Sequence, residues 1–153
     1  MTRIQVLIGT LIAASLVACS GPANEGSTSA KAPATITSAL AEETRLAAVL
    51  VYADWCGSCK VLDPKLEAAK AEGPIDGIEY IVLDYTARDD TAFFANADAL
   101  GIGAPIRAKL DGSIKTGILL LVDVDDSKIV GDLRKELSTT DIRNALVEAA
   151  ASA

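Results

Sequence analysis

Two thiols carry the chemistry legible in this chain. Cys56 and Cys59 stand three apart in Trp55-Cys56-Gly57-Ser58-Cys59-Lys60, and the third cysteine, Cys19, lies far upstream. Thiols at this spacing either exchange disulfides or hold a soft metal. Zinc needs a further pair of ligands, and the sequence has no histidine and no second cysteine pair. The pair therefore reads as a thiol–disulfide exchange centre, and its setting supports that chemistry. Ala47 to Ala53 is an apolar run suited to a strand, while Val61, Leu62, Leu66 and Ala69 recur at helical spacing over 57–72. A buried strand thus gives way to a helix at Cys56. The first turn of a helix offers unpaired N–H groups and the positive end of the dipole, which bring a thiol pKa from about 8.5 into the range of roughly 3.5–7.5.

The missing histidine excludes Cys-His and Ser-His-Asp catalysis, histidine-containing zinc sites and c-type haem attachment. A formal charge of −7 argues against nucleic acid as a partner. Asp123-Val124-Asp125-Asp126-Ser127 opens like a calcium loop. Lys128 stands where glycine is needed, however, and Arg134 where the bidentate glutamate belongs, so a polar hairpin turn is expected. No cofactor and no metal is expected.

The elements that must hold the thiols follow from periodicity and punctuation. Half of the 153 residues are apolar, enough for one domain with a core. Thr37 or Ser38 caps a helix through Ala48, and the strand 47–53 follows it, buried on both faces. The dithiol helix carries Pro64, which should kink it, and ends at Gly73-Pro74. Ile78 to Leu83 is a second strand and Asp89 to Leu100 a helix. Gly117 to Asp123 and Lys128 to Leu133 are further strands. Ser138-x-x-Asp141 forms a capping box that opens a last helix to about Ala150. The order α-β-α-β-α-β-β-α implies a central mixed sheet with helices on both faces.

Upstream, residues 1–18 read as an export signal, with Arg3 followed by an apolar stretch of about 15 residues, short of the roughly 20 that span a bilayer. Leu16-Val17-Ala18-Cys19 resembles the lipobox of bacterial lipoproteins, which makes Cys19 a lipid anchor and not a redox thiol. Ser20 in place of aspartate leans towards the outer membrane. Residues 19–37 are then a lipidated linker, rich in small and polar residues, with a reach of roughly 20–25 Å as a flexible coil. Residues 38–153 form the folded domain.

With these elements in place, residues 38–150 resemble the thioredoxin superfamily, through Tyr52-Ala53-Asp54-Trp55-Cys56-Gly57-Ser58-Cys59-Lys60 together with Pro64. The resemblance implies an α/β fold, a three-layer sandwich with a central mixed four-stranded sheet flanked by helices. It implies that Cys56 attacks a partner disulfide and Cys59 resolves the mixed disulfide, with Trp55 as a contact surface and Gly57, Ser58 and Lys60 in support. A thioredoxin-like copper carrier would be expected to bring a histidine.

Three departures stand out. Where many relatives bury an acid six residues before the first cysteine, this chain has Leu50. Proton transfer from Cys59 then falls to water or to a group such as Asp54. Ser58 replaces the proline of thioredoxin; its N–H and hydroxyl would hydrogen-bond a Cys56 thiolate and make the couple less reducing than thioredoxin's. No proline precedes the strand 117–123, so Thr116, or next Gly117, takes the place of the family's cis-proline, while Pro105 lies too far upstream. The stretch 101–116 reads as an insertion. Ile106 to Leu110 alternates, Asp111-Gly112 signals a type I′ turn, and a basic hairpin bearing Arg107, Lys109 and Lys115 is expected, either a solvated loop with ordinary charges or a partner-recognition element.

The function expected is a thiol–disulfide oxidoreductase of the cell envelope, monomeric, lipid-anchored and facing the periplasm. It would be a disulfide reductase or electron carrier acting on protein thiols and disulfides, served by a membrane or periplasmic redox partner. The alternative is a non-catalytic binding module or redox sensor on the same scaffold.

Overall fold

The computed structural model describes residues 43–153. The export signal, Cys19, the linker and most of the helix expected through Ala48 lie outside them. The part of that helix inside is not helical. Leu46 instead opens a strand, β1 (Leu46–Tyr52), and the N–H groups of Arg45 and Leu46 both donate to the Gly77 carbonyl. The physical reason is burial: Leu46 to Val51 are all fully buried, which a helix with one wet face could not achieve.

After β1 come α1 (Cys59–Ala71), β2 (Ile78–Asp84), α2 (Asp90–Ala99), α3 (Gly103–Leu110), β3 (Ile118–Asp123), β4 (Lys128–Arg134) and α4 (Thr139–Ser152). The four strands form one sheet in the order β2-β1-β3-β4. β1 pairs parallel with β2 and antiparallel with β3, and β3 pairs antiparallel with β4. Successive side chains of β1 point to opposite faces. Ala47, Val49 and Val51 pack with Phe93, Ile102 and Ile106, whereas Leu46, Ala48 and Leu50 pack with Leu62, Leu66, Ile142 and Leu146. Helices α2 and α3 thus cover one face and α1 and α4 the other, giving the three-layer α/β sandwich that the sequence implies.

Local chemistry fixes the helix ends. The Asp89 carboxylate accepts the Ala92 N–H at the start of α2. Ser138 and Asp141 form the expected capping box of α4, each side chain taking the other's backbone N–H. Pro64 lies inside α1.

The stretch 101–116 corrects the expectation of an inserted hairpin. Its first half is a helix, α3. Ile102, Ile106 and Leu110 recur every fourth residue and are all buried, so alternation over 106–110 was one turn of a helical stripe sampled too briefly. Pro105 sits in the first turn of α3, where its missing N–H costs nothing. Asp111 (φ 43°) and Gly112 (φ 74°) are both left-handed, as a type I′ turn requires, but here they end a helix.

Parallel pairing puts Tyr52 beside Asp84, and antiparallel pairing puts Val51 beside Ile118. The loops after β1 and β2 and the entry to β3 therefore share one edge of the sheet.

Candidate redox site

At that edge the chain leaves β1 at Tyr52 and turns through 53–58 into α1. The Cys56 N–H donates to the Ala53 carbonyl at 3.1 Å and the Lys60 N–H to the Cys56 carbonyl at 3.3 Å. The helix proper begins at Cys59, two residues later than expected, with Ser58 as its N-cap residue in helical conformation. Cys56 and Cys59 form a disulfide with their Cα atoms 5.3 Å apart. The Cys59 N–H points at Cys56 Sγ across 3.1 Å. That donor is one of the unpaired first-turn N–H groups, and it favours negative charge on Cys56 once the bond opens.

The two sulfurs have different surroundings. Cys59 is fully buried against Ala53 and Tyr52, with its Sγ 3.7 Å from the Val51 carbonyl. Cys56 lies nearer solvent but is still only 6% exposed. Gly117 covers it. The Gly117 N–H donates to the same Val51 carbonyl at 2.8 Å, and its φ is 77°. A Cβ there would come within 2.5 Å of Ser58 Cβ and 3.2 Å of Cys56 Sγ. Of the two candidates for the cis-proline's place, the residue against the sulfurs is Gly117, and Thr116 beside it is half-buried.

The remaining sequence candidates distribute as follows. Gly57 and Lys60 are exposed on the rim. Ser58 gives its carbonyl to the Val61 and Leu62 N–H groups, and with the disulfide closed the N–H that points at Cys56 Sγ is that of Cys59. Leu50 is fully buried in the α1–α4 core. Asp54 is exposed, and its N–H donates to Thr86 Oγ1 at 3.0 Å.

Trp55 is 44% exposed beside the disulfide. Its Nε1–H donates to the Thr86 carbonyl at 3.1 Å, the Tyr85 ring meets it edge-on at 6.4 Å, and the Arg88 guanidinium lies 4.4 Å from its ring centroid. The Asp90 carboxylate accepts the Tyr85 hydroxyl, which is the main reason the phenol is held above its ordinary pKa. Residues 85–88, missed from the sequence, thus grip the Cys loop. The available signal was topological: parallel neighbours must place their following loops side by side. Among the described residues no cluster of three metal-ligating side chains occurs, and no helix is long and apolar enough to cross a membrane.

The thioredoxin family profile matches residues 27–98 of this chain. Among solved structures, StoA from Bacillus subtilis matches with a TM-score of 0.46 and 11% identity, covering 67% of this chain and 82% of that one. A search of the curated proteins finds no match. The fold is a thioredoxin-like α/β sandwich with a cysteine pair at the entry to its first described helix.

Proposed function

We propose that this protein is a thiol–disulfide oxidoreductase in which Cys56 attacks and Cys59 resolves. The observation that carries the reading is the Cys59 N–H directed at Cys56 Sγ at a helix entry, beside a fully buried second sulfur. In the reducing direction the Cys56 thiolate attacks one sulfur of a partner disulfide, and the other partner sulfur leaves as a thiolate. The Cys59 thiolate then attacks Cys56 Sγ, closing the Cys56–Cys59 disulfide and releasing the second partner thiolate. Two electrons pass to the partner, whose thiolates take up two protons. A dithiol donor restores the starting state by the same exchange.

A disulfide reductase and electron carrier of the envelope, tethered through Cys19, is the form of this activity that the sequence supports. In an oxidising compartment a reductase must itself receive electrons from a membrane donor, and the lipobox supplies the anchor that keeps it near one. The partners are protein thiols and disulfides and a membrane or periplasmic redox protein.

The test is a pair of cysteine variants. Cys56→Ser should abolish turnover in an insulin reduction assay. Cys59→Ser should accumulate a mixed disulfide with the partner in cells, identifying it. Turnover that survives Cys56→Ser sinks the reading in favour of a binding module or redox sensor.

A further inference from the structure

We propose that Arg88 is a positioning residue for Trp55, holding the indole as the surface that receives the partner; this rests on the oxidoreductase reading. Arg88 has φ 56°, a left-handed conformation that is costly for any residue with a side chain and is normally left to glycine. Its N–H closes a turn on the Tyr85 carbonyl at 3.0 Å, and glycine would serve that turn better. The side chain is exposed, belongs to no core cluster and forms no ion pair among the described residues. What it does make is the stack on Trp55, 4.4 Å from the ring centroid. A strained backbone that keeps a side chain with no core role points to that contact as its purpose.

The stack completes a three-sided grip. Thr86 takes the indole N–H, Tyr85 meets the ring edge-on, and Arg88 covers one face. The indole stays 44% exposed beside the disulfide, with its orientation fixed in advance. A contact surface ordered before the encounter spares the partner the entropy of ordering it, so the benefit falls on complex formation rather than on sulfur exchange. Asp84, Asp89 and Asp90 flank this loop in sequence, the Asp54 N–H is tied to it at Thr86, and Arg88 is the positive charge within it.

The test uses Arg88→Gly and Arg88→Lys, with Trp55 as the single tryptophan reporter. Arg88→Gly should raise the denaturant midpoint by relieving the backbone. It should also lower the steady-state fluorescence anisotropy of Trp55, and raise KM for insulin several-fold with kcat within about twofold. Arg88→Lys keeps a cation over the ring and should restore much of the KM and anisotropy. Unchanged KM and anisotropy in Arg88→Gly would overturn the proposal. So would a loss of stability with kcat and KM falling together, or a lysine variant no better than glycine. If the unaltered protein reduces no disulfide, the oxidoreductase reading fails, while the anisotropy comparison still decides whether Arg88 orders Trp55.

Discussion

The two helical layers of this sandwich are held in different ways. On one side, α1 and α4 present aliphatic stripes, Leu62, Leu66 and Ala69 against Ile142, Leu146 and Ala150. They are also cross-tied: Arg143 donates to the Ala69 and Gly73 carbonyls, and Lys65 to those of Lys135 and Leu137. On the other side, α2 and α3 are shorter; α2 packs through aromatic rings, with Phe93 edge-on to both Tyr85 and Phe94, and α3 through Ile106 and Leu110. An exposed ion pair, Asp98 with Arg107, joins them, and Arg107 also lies over the Phe94 ring. The redox loop draws on both layers. Its cysteines open α1, and the residues that grip Trp55 lie in the loop leading to α2. The cysteine pair is thus anchored on the cross-tied layer, and the Trp55 ring is held from the other.

The first layer was the more legible one. Leu62 and Leu66 repeat at helical spacing beside the Cys pair, and Ser138-x-x-Asp141 announces α4 by a mechanism that acts within four residues. The strands were legible for the same local reason, since Val49 to Val51 and Ile118 to Val122 are unbroken apolar runs. In the second layer α2 was legible as the helix expected over Asp89 to Leu100, and α3 was not. α3 has no side-chain cap and only eight residues, so its Ile106 and Leu110 fit alternation as well as a helical period. Leu46 could not be told from a helix end, because its strand character comes from pairing with Ile78 and Asp123, both far along the chain. In the site, the Cys pair and Trp55 were readable as a motif. Gly117 was a second choice, because contact with Ser58 and Cys56 is a fact of three-dimensional approach. Arg88 left no trace, since its role is a stack across the sheet edge.

The largest expected effect tests whether α3 is a packed element equal to α1. Ile106 and Leu62 are both fully buried. Ile106→Ala and Leu62→Ala should each lower the unfolding free energy by about 2–5 kcal/mol, read from urea titrations with unchanged slope. A solvent-exposed hairpin would instead leave Ile106→Ala within about 0.5 kcal/mol of the parent, and that result would restore the insertion.

Next in size is the seam at the thiols. Gly117→Ala places a Cβ in left-handed backbone and 2.5 Å from Ser58 Cβ, so a loss of about 1–3 kcal/mol is expected. Ser58→Gly removes the nearer obstacle and should recover part of it, with a coupling of at least about 0.5 kcal/mol in a double-mutant cycle. Strict additivity would mean that the penalty is all backbone strain and that Ser58 does not press on Gly117.

The smallest effects separate the fastenings of the two layers by their electrostatics. Hydrogen bonds from Arg107 hold the Asp98 carboxyl below its ordinary pKa, and those from the Ser138 hydroxyl and N–H do the same for Asp141. A carboxylate depressed in the folded state stabilises above its unfolded pKa and loses that contribution as pH falls through its folded value. The denaturant midpoint should therefore drop below about pH 4, with a shallower drop in Asp98→Asn and in Asp141→Asn. Salt distinguishes them. The Asp98–Arg107 pair is an exposed attraction between full charges, so about 1 M sodium chloride should shrink the effect of Asp98→Asn at neutral pH. Asp141 acts on a neutral hydroxyl and a backbone N–H within a capping box, whose short-range bonds salt screens little. Its substitution should cost nearly as much at high salt as at low. Equal salt sensitivity at both sites would erase the distinction, leaving α4 fastened by the same surface electrostatics as α2 and α3.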